Sequence, residues 1–101
     1  MPDNEFYERA DQHIKLSNNQ ISKDIPLGEI SASMMYSTAR FNAWMNAFSC
    51  DSSIEMKVKI QETIDYIMEE YRKMLNENID EYIENFDAYM KDHGWMKSFS
   101  E

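Results

Sequence analysis

The sequence predicts an all-α protein, a helical bundle of three helices of which the third is long, and three observations lead there. Only 2 Gly and 2 Pro occur in 101 residues, whereas a sandwich or barrel of this size needs turn residues roughly every 8–12 positions. Apolar residues recur at three- and four-residue spacing through three successive stretches, the period of helices with one covered face. The hydrophobic fraction is 43%, with 13% aromatic, so there is apolar surface enough to drive folding. Below roughly 250 residues nothing obliges the core to divide. A single helical domain over 1–101 is expected, with a short tail at 94–101.

In the first stretch Phe6, Ala10, Ile14 and Ile21 recur at helical spacing with Tyr7 beside them, while Glu5, Glu8, Arg9, Asp11 and Lys15 take other positions. This predicts an amphipathic helix between residues 3 and 22. Asp3 is placed to cap it, because its carboxylate accepts from the unpaired amides of the first turn. Residues 23–28, with Asp24, Pro26 and Gly28, form the first connector. Pro26 also suits the first turn of the next helix, where its missing amide costs little.

The second helix is expected over 29–48, and its composition is unusual. Between Ile30 and Cys50 the only charged residue is Arg40. One stripe is bulky (Ile30, Met34, Phe41, Met45, Phe48) and another is small (Ala32, Ala39, Ala43, Ala47). Membrane insertion is disfavoured by Ser31, Ser33, Ser37, Thr38, Asn42 and Asn46 along with Arg40. A helix with so little solvated face reads as the centre of a bundle, covered on more than one side.

Residues 49–53 make the second connector, and Ser52 followed by Glu55 is a capping-box pattern that opens the third helix. No glycine or proline then occurs until Gly94. Turning about 100° per residue from Ile64, the residues Ile60, Ile67, Tyr71, Leu75, Ile79, Tyr82, Phe86 and Tyr89 all fall within about 60° of it. An unbroken helix from 53 to 92 is about 60 Å long at 1.5 Å per residue. A globule of this chain length is only about 35 Å across, from a radius of gyration near 13 Å. Either the helix breaks at residues 76–78, where Asn78 and Glu81 offer a second cap, or it protrudes and pairs with another chain. The stripe keeps its phase through Asn76 and Asn78, which favours the continuous helix and with it a homodimer. Tyr71, Leu75, Ile79, Tyr82 and Phe86 are then the interface residues. After Gly94, the expected helix stop, Trp95, Met96 and Phe99 either fold back on the bundle or dock on a partner.

Two stretches carry a resemblance: Phe6-Tyr7-Glu8-Arg9-Ala10-Asp11, and Ile30-Ser31-Ala32-Ser33 leading to Ala39-Arg40-Phe41-Asn42-Ala43. They resemble a family of small bacterial proteins known as domain of unknown function 3144, over the first two helices and the start of the third. The resemblance implies a bacterial source and a helical fold. It implies no activity, substrate or catalytic residue.

The formal charge is −9, from 10 Lys+Arg against 19 Asp+Glu. Direct nucleic-acid binding is disfavoured, because that affinity comes largely from cations that displace counterions from phosphates. One cysteine forms no intramolecular disulfide, and neither a long apolar run nor a leader pattern is present, so the chain is expected in the cytoplasm.

Chemistry has few candidates. Glu62, Asp65 and Glu69 have the spacing by which helical nucleotide pyrophosphatases align carboxylates for magnesium, and Glu81, Glu84 and Asp87 repeat it. All six fall opposite the apolar stripe, whereas metal-holding carboxylates of a bundle project inward. A solvated face is the plainer reading, and no metal or cofactor is expected. His13 has no ligand-spaced partner, and His93 suits a helix end. Cys50 lacks a local His, Lys or Arg to activate it. Nine methionines are many for this length; Met34, Met45, Met68 and Met74 suit core or interface positions. Arg40 has to reach water or find a carboxylate such as Glu8 or Asp11, or else contributes with Asn42 and Tyr36 to an anion-binding site.

The reading is therefore a non-catalytic homodimeric interaction module. The alternatives are a metal-dependent nucleotide hydrolase built on the helix carboxylates, and an acidic regulator that presents the face from Asp80 to Asp87 to a basic partner protein.

Overall fold

The computed structural model describes residues 3–91. Its elements are α1 (Asn4–Asn19), α2 (Leu27–Phe48), α3 (Ser53–Glu84) and α4 (Phe86–Met90). The fold is all-α and of the helical-bundle class. The chain divides into two compact units, and among the described residues the boundary lies inside α2, between Ala39 and Arg40.

In the first unit, α1 opens as the sequence predicts: the Phe6 amide donates to Asp3 Oδ1 at 2.8 Å. It closes three residues sooner than expected. The Gln20 amide turns to Ser17 O at 3.0 Å and the Ile21 amide to Asn18 O at 3.1 Å, a tightened last turn over residues that compete with the helix for backbone bonds. Ile21 thus leaves the helix and sits half-buried with Ser22 and Leu27. A single antiparallel bridge, Ser22 to Ile25, narrows the connector. Pro26 stays just outside α2, and its carbonyl accepts from Glu29 at 3.0 Å and Ile30 at 3.4 Å. Ile30, 7% exposed, is the only buried side chain among the described residues.

α2 tolerates its many hydroxyls because they fold back onto the helix. Ser33 Oγ donates to Ile30 O at 2.9 Å, Ser37 Oγ to Ser33 O at 3.0 Å and Thr38 Oγ1 to Met34 O at 3.0 Å. These three hydroxyls are satisfied without a neighbour, which leaves α2 less polar at its surface than its composition suggests.

In the second unit the chain reverses at residues 49–52. Ser52 caps α3 by accepting from the Glu55 amide at 3.2 Å. The return arm differs from the capping box: Glu55 Oε2 accepts from the Asp51 amide at 3.3 Å, one residue before the cap. Lys59 Nζ lies 3.4 Å from Glu55 Oε1. The Asp51 amide, and after it Lys59, hold the Glu55 carboxyl below its ordinary value. Beyond the turn, Asn46 Nδ2 donates to Thr63 Oγ1 at 3.3 Å, tying the end of α2 to α3.

α3 runs unbroken through Asn76 and Asn78 for 32 residues, about 48 Å at 1.5 Å per residue. Asn78 donates its Nδ2 to Met74 O at 2.7 Å and leaves the helix intact. The interruption comes later, at Asn85, with φ −116° and ψ 24°, and a fourth short helix follows where the sequence suggested continuation to residue 92. Both the Asn85 amide and its Nδ2 donate to Glu81 O, at 3.0 and 2.9 Å. The side chain thereby closes α3 and is not available to cap α4. Apolar phase survives the interruption, since Tyr82 and Tyr89 meet edge to face with centroids 5.0 Å apart. His93 and the segment with Trp95, Met96 and Phe99 lie outside the described residues.

The start of α3 yields a paired prediction. Ser52→Ala should lower stability by about 1 kcal/mol, read as a lower urea midpoint with an unchanged slope. Because the Glu55 carboxyl titrates below 4.5 in the folded chain, its contribution is present above that pH and is lost as pH falls through the lowered value. The stability gap between the native chain and Glu55→Gln should therefore close on acidification below pH 4.5.

Candidate functional site

The bulky stripe of α2 changes character along the helix. Ile30 is buried and Met34 half-buried, whereas Phe41, Met45 and Phe48 are exposed. Among the described residues, the expected cover on more than one side is thus absent from the last turns of α2. In its place Trp44 lies between Phe41 and Phe48, with ring centroids 5.5 Å from each. These three rings are 57–79% exposed. The half-buried residues of this segment are Asn42 and Asn46, one turn apart, and Asn46 is the residue bonded to α3. Within the second unit, α2 therefore meets α3 through its amide side and leaves its aromatic side open.

α3 repeats the pattern. Its half-buried Met56, Thr63 and Ile67 lie on the flank where Asn46 bonds Thr63, about 60–100° from Ile64 around the helix. The centre of the stripe is open: Ile60, Ile64, Tyr71, Leu75, Ile79, Tyr82, Phe86 and Tyr89 are 37–56% exposed. At its far end Asn78, Ile79, Tyr82, Ile83, Phe86 and Met90 line an open, apolar groove of about 270 Å³. Tyr89 donates its hydroxyl to Glu81 Oε2 at 3.1 Å, and this bond to a carboxylate raises the phenol above the usual tyrosine range. Met45, Met68 and Met74 are exposed too, so of the four methionines read as core or interface only Met34 is half-buried.

Tyr36 and Arg40 stand one turn apart on α2, both exposed. Asn42 projects about 160° away from Arg40 around the helix, on the side of Asn46. The helix therefore does not gather these three residues. Arg40 takes part in no ion pair among the described residues; the three pairs present, Glu55–Lys59, Glu69–Arg72 and Glu70–Lys73, all lie within α3 and are exposed.

The α3 carboxylates are engaged singly. Asp65 Oδ1 accepts from Gln61 at 2.9 Å, Glu69 pairs with Arg72 at 3.9 Å and Glu81 accepts from Tyr89. No three acidic, histidine or cysteine side chains converge on one point among the described residues. His13 is exposed on α1 and Cys50 is a half-buried free thiol. No helix among the described residues is long and apolar enough to cross a membrane.

Fold and surface together define a small all-α protein whose helices present apolar faces to solvent. The chain belongs to the family described as protein of unknown function (DUF3144), whose model matches residues 6–83. Among solved structures it is similar to the NMR structure of the protein NB7890A from Shewanella sp, at 45% identity over 91% of this chain and 97% of that one, with a TM-score of 0.72. No curated protein matches the chain. The family match ends one residue short of the end of α3, so α4 falls outside it.

The scattered carboxylates carry a prediction of their own. Titration with magnesium or manganese and a nucleotide should give no saturable heat at micromolar protein. Clear binding that disappears in Glu62→Gln would instead restore the hydrolase reading.

Proposed function

We propose that this protein is a non-catalytic interaction module that works as a homodimer, with the α3 stripe as the surface on which the second copy sits. The observation that carries the reading is the openness of that stripe over residues 60–89. Eight large side chains about half exposed, at roughly 150–250 Å² each, leave on the order of 800 Å² of mostly apolar surface. That is about what each partner contributes to a standard-size interface, and it exceeds the patch that monomers ordinarily leave in water. Tyr71, Leu75, Ile79, Tyr82 and Phe86 form the middle of this surface. The aromatic face of α2 at Phe41, Trp44 and Phe48 adds a second apolar area in the same unit.

The acidic residues opposite the stripe keep such an assembly soluble. With one cysteine in the chain and no intramolecular disulfide to protect, the proposed site of action is the cytoplasm.

Light scattering should give twice the chain mass at micromolar concentration. Leu75→Glu, which places a charge in the middle of the stripe, should shift the mass to that of one chain while circular dichroism remains helical. A wild-type chain that stays monomeric at these concentrations overturns the proposal.

A further inference from the structure

Resting on the self-association proposed above, we infer that the two α3 helices pair antiparallel, with Leu75 facing its own copy at the twofold axis. The spacing of the stripe is the first support. Outward from Leu75 the apolar residues lie at Tyr71, Ile67, Ile64 and Ile60 on one side and at Ile79, Tyr82, Phe86 and Tyr89 on the other. Antiparallel pairing across Leu75 sets Tyr71 opposite Ile79, Ile67 opposite Tyr82, Ile64 opposite Phe86 and Ile60 opposite Tyr89, each within one residue of register. The whole open face is then covered by the whole open face of the second copy, as a self-complementary twofold contact requires.

A parallel pair also overlaps the stripes, and charge separates the two arrangements. Residues 53–73 carry five carboxylates and four cations, a net of −1, whereas residues 74–91 carry five carboxylates and one cation, a net of −4. Parallel helices set the −4 segments side by side. Antiparallel pairing about Leu75 sets residues 74–91 beside residues 59–76, whose net charge is −1 and which bring Lys59, Arg72 and Lys73; this lowers the product of facing charges about twofold. The helix dipoles favour the same direction, since each carbonyl end then lies beside an amide end.

Spin-label distances test the geometry without disturbing the stripe. In a Cys50→Ala background, Lys59→Cys and Glu84→Cys are labelled one at a time at exposed positions. Antiparallel pairing about Leu75 gives separations of about 48 Å and about 27 Å along the helices, from 1.5 Å per residue. Any antiparallel register keeps their sum near about 75 Å, and the difference locates the axis. Separations both within about 20 Å mark a parallel pair of neighbouring helices and overturn the inference; a sum near 75 Å with a different split overturns the Leu75 axis. If light scattering on the same samples shows single chains, the dimer itself fails. The two failures are thereby told apart.

Discussion

An apolar face on a helix costs free energy wherever it stays in water, and α3 carries such a face along its whole length. At about 48 Å it exceeds the roughly 35 Å span of a globule of this size, and the partner at its start, α2, reaches it through one amide-to-hydroxyl bond near Thr63. Most of the remaining architecture answers to that mismatch. The acidic residues keep the opposite face in water, the asparagine at 85 ends the helix, and among the described residues the centre of the stripe from Ile60 onward stands exposed.

α2 meets the same constraint from the other direction. It has almost no charge with which to hold water, yet Ser33, Ser37 and Thr38 are bonded to its own carbonyls and Asn46 bonds to α3. The residues left facing outward are Phe41, Trp44 and Phe48, with Trp44 stacked on Phe48 and tilted against Phe41. Such stacking recovers part of the contact that burial would supply, but it does not remove the rings from water. Both long helices of the second unit thus present their least polar sides outward.

Much of the fold was legible from local rules: the Asp3 and Ser52 caps, the helical period of each stretch and the continuity of α3 through its asparagines follow from propensity and phase. Cover was not legible. Periodicity says which side of a helix is apolar and is silent on whether the same chain supplies what packs there. That is why Met45, Met68 and Met74 read as core or interface and stand exposed. Nothing local distinguishes Asn85 from Asn76 and Asn78, which share its chemistry; what sets it apart is the backbone conformation it adopts. Asn42 and Arg40 are neighbours in sequence, yet two residues along a helix point to nearly opposite sides. The partner of Asn46, 17 residues away, leaves no local signal at all.

The solitary burial of Ile30 bears on how the protein melts. Heat capacity on unfolding comes mainly from apolar surface newly exposed to water, and with a single fully buried side chain among the described residues that increment is drawn from many half-covered side chains rather than from a sealed core.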